Sequence, residues 1–334
     1  MSRFLIRRAF FTVLVLWILT VVTFTLSHVI PADPARLMAG PKASPEILDN
    51  IRRRYGLDRP LPQQYGIYIS RLLRGDLGVS MDSRRLVVQD LKDFFPATVE
   101  LVFCAMCLAV LGGISIGVLT AAYRGSVIDH LGRLLSVGGL SIPAFWLGLL
   151  LQLLLYYRLG WLPFGERTST DLTAFAHPTG LYTADALLAG RWDAFIDAAK
   201  HLIMPAMVLS LEPLAVIARL TRASMLEVML QDYIRTARAK GMKETVVIVR
   251  HALKNALLPT VTMIGMQIGW ALGGDVLVEV IFNWPGVGRY AAKSILSADH
   301  SAVMAVALLI GAVYLVANVV VDIVYAAIDP RISL

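Results

Sequence analysis

The chain has 334 residues, of which 57% are hydrophobic and only 16% charged, and its mean hydropathy is +0.66. A soluble domain averages about 45–50% apolar and about 25% charged residues, so this composition excludes a single soluble core and points to a membrane protein. Two cysteines exclude a disulfide scaffold, and the net charge of +7 follows membrane topology rather than forming a nucleic-acid surface.

Six gaps between charges are long enough to cross about 30 Å of hydrocarbon, which takes roughly 20 helical residues. In chain order they separate Arg8 from Asp33, Glu100 from Arg124, Arg133 from Arg158, Lys200 from Arg219, Lys254 from Asp275 and Asp299 from Asp322. The fourth gap is interrupted only by Glu212. Because backbone polar groups in lipid must be satisfied internally, the gaps predict an all-α membrane protein with six transmembrane helices. The first span resembles a secretory signal in its basic start, Arg3, Arg7 and Arg8. Its apolar stretch is too long for a signal core, and Pro31-Ala32-Asp33-Pro34 is a poor cleavage site, so an uncleaved helix is expected.

Between the first two spans, Leu61 to Leu73 has the pattern of a short surface helix. Arg74-Gly75-Asp76-Leu77-Gly78 ends it with turn chemistry. The second span contains Cys104-x-x-Cys107, read as packing because a thiolate is costly in an apolar span. Gly113 and Gly117 in the second span, and Gly265, Gly269 and Gly273 in the fifth, repeat every fourth residue. Small residues at that spacing let helices approach closely; a smooth wall beside a solute path is the alternative. Leu135-Ser136-Val137-Gly138-Gly139 in the third span is read as helix packing, and the chain has no Gly-x4-Gly-Lys-[Ser/Thr] phosphate loop. The histidines, His28, His130 and His251 among them, show no ligand spacing.

In the fourth span, Glu212 precedes Pro213, where a kink is expected. An acid inside a span is expensive and often functional, so Glu212 either contacts solute or bonds within the bundle. Gln267 and Trp270 in the fifth span are candidate cavity-lining residues. Asp275 and Glu279 near its outer end are expected to face water. Asn283-Trp284-Pro285-Gly286-Val287-Gly288 is expected to form a tight hairpin between the last two spans, with a gate as the alternative.

The segment between spans four and five is too patterned for a linker. Asp232 is placed to cap a helix over Tyr233-Ile234-Arg235-Thr236-Ala237-Arg238-Ala239-Lys240, and Gly241 is placed to end it in the left-handed conformation. A two-turn helix is marginal alone in water, so it needs a partner surface. Next, Val246, Val249, Leu253 and Leu257 fall at helical spacing and predict a second amphipathic helix that enters span five at Pro259. The pair either lies on anionic lipid or presents a docking helix. The N-terminus, the loop between spans two and three, this segment and the tail together carry 14 basic and five acidic residues. That excess places all of them, and therefore both termini, in the cytoplasm.

Asp232-Tyr-Ile-Arg-Thr-Ala-Arg-Ala-Lys-Gly241 and His251-Ala-Leu-Lys-Asn-Ala-Leu-Leu-Pro259 resemble the "EAA" loop of bacterial ABC importer permeases. They are most similar to the dipeptide/oligopeptide/nickel class. Tyr55-Gly-Leu-Asp-Arg-Pro60, Gly75-Asp-Leu-Gly78, Pro285-Gly-Val-Gly-Arg-Tyr290 and Val321-Asp-Ile-Val-Tyr-Ala-Ala-Ile-Asp-Pro-Arg331 carry the likeness through nearly the whole chain. Arg235-Thr236-Ala237 stands where the general motif has Glu-Ala-Ala, so no glutamate role carries over.

The resemblance implies a type I ABC importer permease fold in a bacterial plasma (inner) membrane. Residues 1–95 would hold the first helix and a long extracytoplasmic segment. Residues 96–334 would form the permease core, with a cytoplasmic coupling loop over 223–256. It further implies four partners: a second homologous permease, two ATP-binding subunits that carry ATP and Mg, and an extracytoplasmic substrate-binding protein. The chain itself would be a transport subunit without cofactor or metal. Arg235, Thr236, Ala237, Arg238, Ala239, Lys240 and Gly241 would couple it to the ATPases. Glu212, Gln267, Trp270 and Asp275 are candidates for the translocation path, for di- or oligopeptides. A gradient-driven secondary transporter is the competing reading. It fits poorly, because such carriers often show internal repeats and midplane ionisable relays.

Overall fold

The long apolar runs become helices, because only helices close their own backbone hydrogen bonds in lipid. A computed structural model describes residues 2–29, 44–56, 58–169, 177–273 and 275–328. Pro31–Pro34 and Asp329–Arg331 lie outside the described residues, as do the side chains of Arg3, Arg7, Arg8 and Asp322. The first helices are α1 (Ser2–Val29), α2 (Pro45–Tyr55), α3 (Leu61–Leu73), α4 (Val87–Ala122), α5 (Val127–Ser141) and α6 (Ala144–Leu151). They are followed by α7 (Tyr182–Leu188), α8 (Trp192–Val228), α9 (Asp232–Ala239), α10 (Glu244–Val246), α11 (Leu253–Leu272), α12 (Val276–Ile281), α13 (Val287–Leu296) and α14 (His300–Ile328). Wider π-helical turns extend α6 over Gln152–Arg158 and join α10 to α11 over Val247–Ala252. Among the described residues the only strand-like feature is a bridge between Val79 and Leu86.

The chain is an all-α membrane protein. Among the described residues three helices are long and apolar enough to cross a membrane: α4, α8 and α14 over His300–Val321. The pair α5–α6 with its π-helical extension is long and apolar enough only when taken together, and it is bent by 105°. The bend divides the stretch between Arg133 and Arg158. Ile142 adopts φ −85° and ψ 120°, the extended conformation favoured before a proline, here Pro143. The apolar part of α1, Phe10–Thr25, is shorter. The segment between Lys254 and Asp275 folds as α11, diluted by Lys254, Asn255, Pro259 and Gln267.

Helices α4 and α8 form the most extensive pairing. Glycine permits it: a Cβ on Gly113 would lie 2.8 Å from Ile217 Cγ2, and one on Gly117 would lie 2.6 Å from Thr221 Cβ. A Cβ on Gly265 would meet Val321 at 2.4 Å, where α11 packs on α14. These glycines serve close helix approach. Cys104 is half-buried against the core formed by Leu101, Ala105, Leu202, Met204, Phe282 and Trp284, and Cys107 is exposed.

Helix α3 spans the predicted residues, and Gly75 and Gly78 take φ +76° and +87° in the turn after it. Helix α4 begins well before the charge at Glu100 that marked the expected start of the span, and it continues through Pro96.

Candidate functional site

Two candidate sites lie along α8, one at its Val228 end and one near its middle. At the Val228 end, Ala121 and Met225 pack with Ile234, Ala237, Val247, Ala252 and Ala256. Ile234 and Ala237 are three residues apart and share the inward face of α9. The outward face presents Arg235, Thr236, Arg238, Ala239 and Lys240, followed by exposed Gly241. Six of the seven candidate coupling residues therefore form one exposed surface, and Ala237 does not. Its methyl group fills the loop's own core.

Three further details differ from expectation. Gln231, not Asp232, is the N-cap of α9, and Asp232 is its first residue. The Asp232 carboxylate accepts from Arg235 Nη1 at 3.2 Å instead of capping the backbone. The next helix does not bury the stripe Val246, Val249, Leu253 and Leu257. It buries Val247, Ala252 and Ala256, and Val249 is exposed. The π-helical turns over Val247–Ala252 set a five-residue step on the buried face, and this shifts the stripe off the 3.6-residue period.

Gly241 behaves as predicted. It takes φ +73°, and its N–H donates to Arg238 O at 2.9 Å. Across this turn Arg238 Nη2 and Nε donate to Glu244 at 2.7 and 3.2 Å. The guanidinium beside Glu244 holds its carboxyl below the usual carboxylate range. Asn255 Nδ2 donates to Tyr233 Oη at 2.8 Å, tying α9 to α11.

Near the middle of α8, a cavity of about 280 Å³ opens between α6, α8, α11 and α12. Helix α8 contributes Val208, Leu209, Glu212 and Pro213, and α11 contributes Gln267, Trp270 and Ala271. Asp275, Val276 and Leu277 form the wall at the start of α12, and Ala144 adds to it from α6. Glu212, Gln267, Trp270 and Asp275, far apart in the chain, thus line one cavity. Glu212 is exposed in it, and helix α8 continues across Pro213. Trp270 is 76% exposed. The Asp275 carboxylate caps α12, accepting from Leu277 and Val278 N–H at 3.1 and 3.2 Å. Two carboxylates and no cationic side chain line the space, so it attracts cations and repels anions.

Behind this wall lies a site that sequence reasoning missed. Glu279 is 1% exposed instead of facing water. Its carboxylate accepts from Thr98 Oγ1 at 2.7 Å and from Arg289 N–H at 2.9 Å. Burial pushes its carboxyl above the usual range, partly offset by these donors. The segment from Asn283 to Gly288 is no tight hairpin. It leads from α12 into α13, with Trp284 buried and its Nε1 donating to Ala97 O at 2.9 Å. A Cβ on Gly286 would lie 2.3 Å from Glu279 Oε1. The clue in the sequence was the pair of glycines flanking Val287, which leave room for a carboxylate.

Comparison with known proteins now adds to this geometry. Residues 113–334 match the family described as the binding-protein-dependent transport system inner membrane component, and residues 1–102 match its N-terminal counterpart. The chain is 46% identical over 327 residues to "Probable D,D-dipeptide transport system permease protein DdpB" of Escherichia coli (strain K12), covering 98% of this chain and 96% of that protein. It is 40% identical over 334 residues to the dipeptide transport system permease protein DppB of Alkalihalophilus pseudofirmus, with 100% of both covered. It is also 40% identical over 332 residues to the glutathione transport system permease protein GsiC of Pectobacterium atrosepticum, with 99% of both covered. Nothing in these similarities points to a gradient-driven carrier.

Proposed function

Because the chain belongs to the family of binding-protein-dependent transport system inner-membrane components, and is thus a permease subunit of an ABC importer, we propose that it forms half of a peptide path. A second, homologous permease supplies the other half. Two ATPase subunits bind ATP and Mg, and a substrate-binding protein delivers the solute. The relatives named for dipeptide transport support di- or oligopeptides as cargo.

The six spans of this reading are α1, α4, α5–α6, α8, α11 and α14. An even number brings both termini to one side, and the excess of Lys and Arg around α9 assigns that side to the cytoplasm. The outward face of α9, from Arg235 to Gly241, docks on an ATPase. Closure of the ATPases then pushes a short rigid element that is continuous with α8 and α11, and rocks the spans between two states.

The observation that carries this reading is that α8 and α11 each run from the exposed α9 face at one end to the acidic cavity further along the helix. Glu212 and Asp275 suit the ammonium group of a free peptide, and Trp270 offers a ring face to the same cation. The test is reconstitution of the co-purified complex in proteoliposomes, with uptake of labelled dialanine. ATP-dependent uptake that falls in Glu212→Gln while the complex stays assembled is expected. Purification of the chain alone, with uptake driven by an ion gradient and indifferent to ATP, would overturn the proposal.

A further inference from the structure

The cavity wall at α12 has two faces. Asp275, Val276 and Leu277 line the cavity, whereas Val278 and Glu279 point away from it and are buried. Glu279 joins three elements: α12, which carries it; α4, through Thr98; and α13, through Arg289 N–H. Thr98 Oγ1 also accepts from Val287 N–H at 2.8 Å, so one hydroxyl bridges the carboxylate and the first turn of α13. Gly286 and Gly288 pack close over the same carboxylate. Buried carboxylates need such donors, and each lost donor is felt in full.

We propose that Glu279 is a positioning residue: its hydrogen bonds to Thr98 and Arg289 latch the α12 wall of the cavity to α4 and set its stance during transport. The proposal rests on the reading of that cavity as the solute path. Glu279 touches no solute. It acts through Leu277, which stands on the opposite face of the same short helix, and through Asp275, which caps that helix. A glutamine replaces it only in part, because it has one acceptor oxygen where Glu279 uses two, and its amide nitrogen donates. Either the Arg289 N–H loses its acceptor, or the Thr98 hydroxyl must turn and accept from the amide instead of donating.

The test uses the whole complex in nanodiscs, with Cys104 and Cys107 replaced by serine and Leu277→Cys as reporter. Labelling of that cysteine by a charged methanethiosulfonate reads the wall, and dialanine uptake reads transport. Glu279→Gln and Thr98→Val should each change the labelling rate about tenfold, the size expected for a lost hydrogen bond to a charged group. Maximal uptake should fall in both with KM within about twofold, since no solute contact is removed, and Glu279→Asp should recover part of both readouts. Unchanged labelling in both variants overturns the latch. So does failure of both to assemble, which would make Glu279 and Thr98 simple core residues. If Glu279→Gln alone fails to assemble, Thr98→Val decides between these outcomes. Altered labelling with unchanged uptake keeps the latch but overturns the cavity as the path.

Discussion

Glu100 and Arg167, on α4 and in the connection that follows α6, form a buried ion pair: Arg167 Nε donates to Glu100 Oε2 at 2.9 Å, and both side chains are almost fully covered. The pair is well furnished. Thr183 N–H donates to Glu100 Oε1 at 2.7 Å, Arg167 Nη2 donates to Gly180 O at 2.7 Å, and the guanidinium lies 3.7 Å over the Tyr182 ring. This arrangement pins the segment between α6 and α8 onto α4. Removing one partner of such a pair leaves an uncompensated buried charge. Arg167→Ala and Glu100→Ala should each cost about 3–5 kcal/mol, seen as a lower unfolding midpoint of the detergent-solubilised protein. An apolar replacement of both residues should cost less than either single change. Equal losses in single and double variants would contradict this.

The two alanines of α9 should behave differently. Ala237 is buried beside Met225, Ile234 and Val247, so Ala237→Asp buries an unpaired carboxylate and should unfold the loop, costing about 3 kcal/mol or more. Ala239 is exposed. Ala239→Asp should keep the loop folded yet lower ATP-driven uptake about tenfold if that face docks on an ATPase, a loss of about 1.4 kcal/mol. Limited proteolysis of the loop, read beside uptake, separates the two.

Glycine positions give a second internal control. Gly117 has Ala218 O at 2.8 Å from where a Cβ would be, whereas nothing lies within 4 Å at Gly138 on α5. Gly117→Ala should therefore cost about 1–3 kcal/mol through overpacking. Gly138→Ala should be neutral, or stabilising by up to about 1 kcal/mol from helix propensity. Thermal midpoints of the two variants check this.

The bracket across Gly241 has a defined pH dependence. Arg238 depresses the Glu244 carboxyl in the folded loop. The stabilisation is therefore present above the unfolded value of 4.5 and is lost as pH falls through the lower, folded value. Both side chains are well exposed, so the coupling energy is small, about 0.2–1 kcal/mol. A double-mutant cycle with Arg238→Ala and Glu244→Ala, read as loop protection by hydrogen exchange, should show this coupling at pH 7. It should shrink in high salt.

Charge gaps and turn chemistry made the helical runs, the α3 boundaries and the left-handed Gly241 legible in the sequence. These signals are local. The pairing of Glu100 with Arg167 was hidden because the same charge gaps read Glu100 as the aqueous end of a span. Glu279 was misread for the same reason: an acid near a helix end looks solvated until the element that covers it is known. The cavity residues were named one at a time from their chemistry, but only packing of α8 against α11 brings Glu212 beside Gln267 and Trp270. The 105° bend at Pro143 had a local cause in the proline, yet hydrophobicity alone runs straight through it.

The π-helical turns over Val247–Ala252 set the rotational phase between α9 and α11. Each helical residue turns the chain by about 100°. Deleting one residue within these turns would leave an ordinary α-helix and swing α9 by about that angle about the α11 axis. The exposed face from Arg235 to Gly241 would then point sideways without any change in its own sequence. The aim of that surface is thus stored as one extra residue, several positions away from it.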